Sequence, residues 1–294
     1  MKVGVFLQVT DLESGRTLGV EEIAERAARA EAAGYDSVWV MDHFFISGRD
    51  GRRVFAHDPM VLLTAIAART SRVTLGTLVL CAPFRPAAQL AREAMGLQDL
   101  SGGRFVCGAG AGWFEPEFEA ARIPFGKRAS RFERWLIDLR AAFDDAVVPR
   151  GPAPPVWVGA GGPRMLRITA RLADGWNGVW GAADPGWFEE AVARLRNAVA
   201  AEGREAPLTL SAGIALLPLA AEAAERALDR GRRHARFPRD LSAATGTPRQ
   251  LAGVIRAYGD AGADHVILSL STSPGLDFGP EMIDRGAEVL GLLR

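Results

Sequence analysis

Two hydrophobic periods take turns along this chain. Short runs rich in β-branched residues, such as residues 3–7, 38–41 and 73–79, lack a polar face, as strands covered on both sides should. Longer segments between them repeat apolar residues at helical spacing. The clearest example is residues 86–100, where Leu90, Ala94 and Leu97 follow a proline in the first turn. Ser101-Gly102-Gly103 then breaks the helix, and Phe105-Val106-Cys107 opens a strand that runs into Gly108-Ala109-Gly110-Ala111-Gly112. Strand, helix and strand in this order form a parallel βαβ unit. Glycines at the second strand's tip let a ligand approach the backbone closely.

The pattern predicts further strands over 156–158, from 174, over 208–216 and over 266–270. Helices are predicted over 21–33, 59–69, 128–143, 163–172, 187–201, 220–235, 248–261 and 280–293. Asp58-Pro59 and Thr247-Pro248 are helix starts, while Gly34 and Gly262 are stops. Eight strands alternating with helices are the rhythm of an α/β TIM barrel, one domain over 1–294, with insertions after strands 2, 4 and 7. These insertions are a polar loop at 46–57, an irregular aromatic stretch at 113–127 and an irregular segment at 236–246; residues 144–155 form a proline-rich loop. Ala33-Gly34-Tyr35-Asp36-Ser37-Val38 echoes Ala261-Gly262-Ala263-Asp264-His265-Val266. A doubly wound sheet also alternates, but the chain has no GxGxxG followed by an acidic residue, so the barrel is favoured.

Charge narrows the partners. Thirty-five Lys and Arg balance 35 Asp and Glu, which leaves no basic footprint for nucleic acid or an anionic membrane. The first residues are too short an apolar run for a signal peptide, and no segment reaches the ~18 apolar residues of a membrane span, so a cytoplasmic location is expected. Cys81 and Cys107 then read as free, packed thiols, with a disulfide the alternative.

In a TIM barrel the chemistry gathers at the carboxyl ends of the strands. Those ends are apolar and glycine-rich here, suited to a large planar ring rather than to hydrolytic or metal chemistry. Gly159-Ala160-Gly161-Gly162 before a helix is a candidate phosphate turn, with Arg164 in the first helical turn; the alternative is an ordinary turn with Arg164 solvated. Asp42-His43 is the acid–base pair at a strand tip. His43 could exchange a proton with a substrate oxygen, with Asp42 orienting it or bonding the cofactor; the alternative is a hydrogen-bonded, partly buried histidine. Trp113, Phe114, Phe44 and Trp180 are candidate walls or core. Glu115, Glu117 and Glu119 read as a solvated face. His57, His234 and His265 show no ligand spacing, so no metal site is expected.

Taken together, AEAAGYDSVWVMDHF, DPMVLLTAIAARTSRVTLGT, FRPAAQLAREAMGLQDLSGGRFVCGAGAGW, PFGKRASRF, PPVWVGAGGPRMLRITARLADGWN and GTPRQLAGVIRAYGDAGADHVILS resemble the luciferase-like monooxygenase superfamily. Within it they resemble the branch that uses coenzyme F420, a deazaflavin. The resemblance implies a TIM barrel, usually a homodimer, with Asp42 and His43 beside the reacting face of the cofactor. It implies a non-prolyl cis peptide at Leu78-Val79 behind the ring, Gly108 to Gly112 along the cofactor with Trp113 following, and Ala160 to Gly162 as its phosphate turn. Trp113 stands where the family's sugar-phosphate dehydrogenases carry a catalytic glutamate, and Ala111 where bacterial luciferase, which uses FMN, has an arginine. The expectation is therefore hydride transfer between F420 and a small apolar or aromatic organic substrate. The alternatives are an FMN-dependent monooxygenase and a non-catalytic flavin-binding protein.

Overall fold

The computed structural model describes residues 1–48, 50–144, 152–181, 183–234, 243–272 and 276–293. Eight strands follow one another around a ring: β1 (Lys2–Phe6), β2 (Ser37–Val40), β3 (Thr74–Thr77), β4 (Phe105–Gly110), β5 (Val156–Gly159), β6 (Gly175–Gly181), β7 (Thr209–Leu217) and β8 (His265–Ser269). Each pairs in parallel with the next, and β8 returns to β1 with Lys2 opposite His265. An open doubly wound sheet would leave two edges; this sheet leaves none. The helices are α1 (Val20–Ala32), α2 (Pro59–Arg69), α3 (Ala87–Leu100), α4 (Glu115–Ala120), α5 (Arg128–Asp144), α6 (Pro163–Leu172), α7 (Gly186–Ala201), α8 (Ala221–His234), α9 (Pro248–Asp260) and α10 (Glu281–Leu290).

The strands lack a polar face because helices cover the outside and side chains fill the inside. All six residues of β4 are buried. Low in the barrel, Trp39 and Trp157 stack at 5.2 Å with His265 edge-on to both. Glycine makes room for this plug: a Cβ on Gly76 would lie 2.2 Å from the Trp39 ring. Ser37 Oγ accepts from Trp39 Nε1 and lies 2.7 Å from His265 Nε2. Burial pushes the pKa of His265 down to about 3, leaving it neutral.

The repeated Gly-x-Asp that joins a helix to a strand has a mechanical role. Gly34 and Gly262 take φ of 92° and 98°, left-handed values that end α1 and α9. Two residues on, Asp36 accepts from Val3 N at 2.7 Å and Asp264 from Leu210 N at 2.8 Å, each tying down a neighbouring strand. Asp174 does the same for Val156 N.

Several boundaries differ from the sequence pattern. The 46–57 loop contains an antiparallel hairpin, Phe45–Ser47 on Arg53–Phe55, whose alternation is too short to read as strands. A further hairpin, Thr10–Asp11 on Arg16–Thr17, follows β1. The irregular stretch at 113–127 contains α4. β3 ends at Thr77; the Leu78–Val79 peptide is cis, and Leu80–Cys81 re-pairs beside Ala109 and Gly110. Residues 145–151 and 235–242, in the expected loop and insertion, lie outside the described residues; Ala244–Thr245 pairs with β7. Cys81 and Cys107 are free and buried, and burial pushes the Cys107 pKa up to about 12 and raises that of Cys81 further. Among the described residues no helix is long and apolar enough to cross a membrane.

Candidate active site

At the carboxyl ends of the strands lies a cavity of about 720 Å³. Its floor is Leu78, Val79, Gly110 and Gly159. After β3 the chain bulges before Leu80–Cys81 resumes pairing in parallel with β4, and Val79 lies over glycines on the next two strands. A Cβ on Gly110 would come 2.9 Å from Val79 Cγ2, and one on Gly159 3.2 Å from both Val79 methyls. Phe6, Met41, Phe45, Ile46, Phe114 and Trp180 supply apolar walls, and Trp113 stands at the mouth, 59 % exposed.

Of the residues singled out from the sequence, Asp42, His43, Leu78, Val79, Gly110, Ala111, Gly112, Trp113, Gly159, Ala160 and Gly161 line this cavity. Gly108, Ala109, Gly162 and Arg164 do not. Gly108 lies beneath the floor, where a Cβ would collide with Thr77 O at 1.9 Å. Gly162 caps α6 without a side-chain hydrogen bond, leaving first-turn N–H groups available beside Gly161. Arg164 is neither free nor in the cavity: it pairs with Glu133 at 3.2 Å on the surface, where Arg171 also pairs. Phe44 turns away to stack on Phe84.

The acid–base pair is wired differently from the expectation. Asp42 does not orient His43. Its carboxylate accepts from Cys81 N at 2.8 Å and from both terminal nitrogens of Arg85, which also binds Asp58 at the start of α2. Asp42 is buried and Arg85 partly so, and the two carboxylates raise the Arg85 pKa despite desolvation. His43 Nδ1 instead meets Glu117 Oε2 at 2.8 Å, while Glu117 Oε1 accepts from Phe44 N at 2.5 Å. The acidic face is thus corrected: Glu115 and Glu119 are exposed, but Glu117 is only 2 % exposed. A helical signal was present. Glu115 and Glu119 stand one turn apart, while Glu117 falls on the opposite side with Phe114 and Phe118. Arg85 carried no comparable signal; its role comes from the fold bringing β2, α2 and the 80–86 segment together.

Two other polar groups face the site. Arg128 lines the cavity, its guanidinium held by Gly112 O and Phe125 O and lying 3.5 Å from the centre of the Phe125 ring. Asn177 lines it from within β6. Ser211 Oγ gives its proton to Trp176 O, so it accepts from Asn177 Nδ2 at 2.8 Å. That fixes the amide, and Asn177 Oδ1 is left buried without a protein donor. Such an acceptor costs roughly 1–3 kcal/mol unless water or a ligand satisfies it. Among the described residues no cluster of three or more His, Cys, Asp or Glu could hold a metal.

The rim of this closed barrel holds an apolar, glycine-floored hollow with a histidine–carboxylate pair, an arrangement suited to a cofactor-dependent oxidoreductase. The profile of luciferase-like monooxygenases matches residues 1–242, and the chain belongs to that family. The F420-dependent glucose-6-phosphate dehydrogenase of Kineococcus radiotolerans is 29 % identical over 93 % of both chains. Related dehydrogenases of the same description match over 56–57 % of their own length. In structure the chain resembles a monooxygenase from Streptomyces bottropensis, at TM-score 0.77 and 23 % identity over 99 % of this chain and 98 % of that one. It also resembles an F420-dependent secondary alcohol dehydrogenase bound to an F420–acetone adduct, at TM-score 0.77 and 18 % identity over 100 % and 99 %.

Proposed function

We propose that the protein is an F420-dependent oxidoreductase that moves a hydride between the deazaflavin and a small apolar or aromatic organic substrate. The observation that carries this reading is the floor: Val79 over Gly110 and Gly159 makes a broad surface without projecting polar groups, beneath a cavity of about 720 Å³. A flat ring fits there, and the unmatched Asn177 Oδ1 offers an acceptor to a ligand N–H or hydroxyl. Leu78, Val79, Gly110, Ala111 and Gly112 would hold the ring, and Ala160, Gly161 and the first-turn N–H groups of α6 its phosphate. Bound there, the cofactor supplies a ring carbon that takes or gives two electrons with a hydride.

The chain's own part is positioning and proton transfer. With Nδ1 engaged by Glu117, His43 presents Nε2 to the cavity, where it takes a proton from a substrate hydroxyl or returns one to a carbonyl oxygen. The apolar walls exclude water from the exchange. Arg128 is the lysine or arginine lining the cavity among the described residues, and backbone carbonyls already hold it. The reading therefore places an uncharged substrate here rather than the sugar phosphate that names the relatives.

Titrating the protein with oxidised F420 and with FMN, followed by cofactor fluorescence, tests the cofactor. Tight FMN binding without F420 binding overturns the proposal in favour of a flavin monooxygenase. Cofactor reduction with a panel of secondary alcohols and glucose 6-phosphate then tests the substrate class. Turnover with the sugar phosphate alone removes the apolar substrate.

A further inference from the structure

We infer that Glu117 is a positioning residue that fixes which nitrogen of His43 carries the proton. The inference concerns the same site as the proposed reaction, and its first test needs neither cofactor nor substrate. A carboxylate has two oxygens and no proton to give. In Glu117 one oxygen is committed to the Phe44 amide at 2.5 Å, with Phe45 N at 3.4 Å, and the other faces His43 Nδ1 at 2.8 Å. The amides can only donate, so they pin the carboxylate. Nδ1 must then donate to Oε2, and a neutral His43 is held as the Nδ1–H tautomer with its Nε2 lone pair free. Water does not compete, because the Glu117 side chain is 3 % exposed. The arrangement extends backwards to sequence: α4 sets Glu117 on its buried side, and the hairpin after β2 starts with the amides it binds.

This tautomer readies Nε2 to accept a proton. With a deazaflavin bound, substrate oxidation would pass the hydroxyl proton to Nε2 as the O–H bond breaks, while the C–H electron pair would leave as hydride to the cofactor. The C=O double bond forms from the O–H electrons, and Glu117 faces the resulting imidazolium. In the reverse direction Nε2 returns the proton to the carbonyl oxygen.

Glu117→Gln makes the distinguishing test. A glutamine has one acceptor oxygen, which the fixed Phe44 amide takes, so its NH₂ turns toward Nδ1. The ring, unlike the amide, can change: His43 becomes the Nε2–H tautomer, with its lone pair on the wrong side. Nitrogen-15 NMR of histidine-labelled protein at alkaline pH, assigned with His43→Asn, reads this directly. The expected result is a protonated Nδ1 and an unprotonated Nε2 in the parent protein, reversed in Glu117→Gln. A parent protein already protonated on Nε2, or an unchanged tautomer in the variant, overturns the inference. Should Glu117→Gln not fold, the parent spectrum decides alone. With an alcohol substrate in hand, the variant should lose kcat by 100-fold or more with KM changed less than threefold; equal kcat overturns the catalytic consequence. Failure of F420 to bind would leave the tautomer result standing, so the two failures are separable.

Discussion

Val79 sits directly over Gly110, so close that a single methyl group on the glycine would reach 2.9 Å from Val79 Cγ2. Gly110→Ala should therefore push Val79 up into the cavity. The expected loss is ~1–3 kcal/mol of stability, with cofactor affinity falling at least tenfold. Val79→Ala on the same background should restore part of both, giving a favourable coupling in a double-mutant cycle. Denaturant titration and cofactor fluorescence measure them; strict additivity would mean the two residues do not share the floor.

Arg85 is the second support. It bridges Asp42 at the tip of β2 and Asp58 at the start of α2, with its side chain 10 % exposed and that of Asp42 3 %. Arg85→Met leaves the buried Asp42 carboxylate with only the Cys81 amide. A loss of ~3–5 kcal/mol is expected at neutral pH. A loss below 1 kcal/mol in urea unfolding would show that the pair is replaced by solvent.

Acid should weaken the fold partly through the barrel plug. The folded pKa of His265 lies at about 3 against an ordinary value of 6.5, because burial disfavours the cation. Between these values the unfolded chain binds a proton that the folded chain does not. The contribution is thus complete above pH 6.5 and falls as pH drops toward 3, by ~1.4 kcal/mol per unit. His265→Gln should be less stable at pH 7.5 yet show a shallower loss between pH 6.5 and 4. Parallel stability curves for the two proteins would assign the acid sensitivity elsewhere.

The cavity mouth and the α6 turn separate binding from stability. Trp113 is 59 % exposed, so Trp113→Ala should change stability by less than ~0.5 kcal/mol while weakening cofactor or substrate binding several-fold. Arg164 is occupied by Glu133 on the surface, so Arg164→Ala should cost under ~1 kcal/mol and lower cofactor affinity less than threefold. A tenfold loss in that variant would mean that the guanidinium leaves Glu133 to reach the phosphate.

How much of this was legible follows from the range of each cause. Strands covered on both faces, glycine stops such as Gly34 and Gly262, and the Asp58 cap are local or periodic, so the chain itself prescribed the alternation that closes into a barrel. The glycine-rich tips and His43 at the rim were readable for the same reason. Contacts across the fold were not. Glu117 lies 74 residues from His43, and Arg85 43 from Asp42, and nothing in either neighbourhood names its partner. The adjacency of Asp42 and His43 pointed to a pair, but beyond the end of β2 their side chains find separate partners: Asp42 meets Arg85 and His43 meets the helix bearing Glu117. Periodicity set which faces are buried; only closure of the ring decided which charges would find each other there.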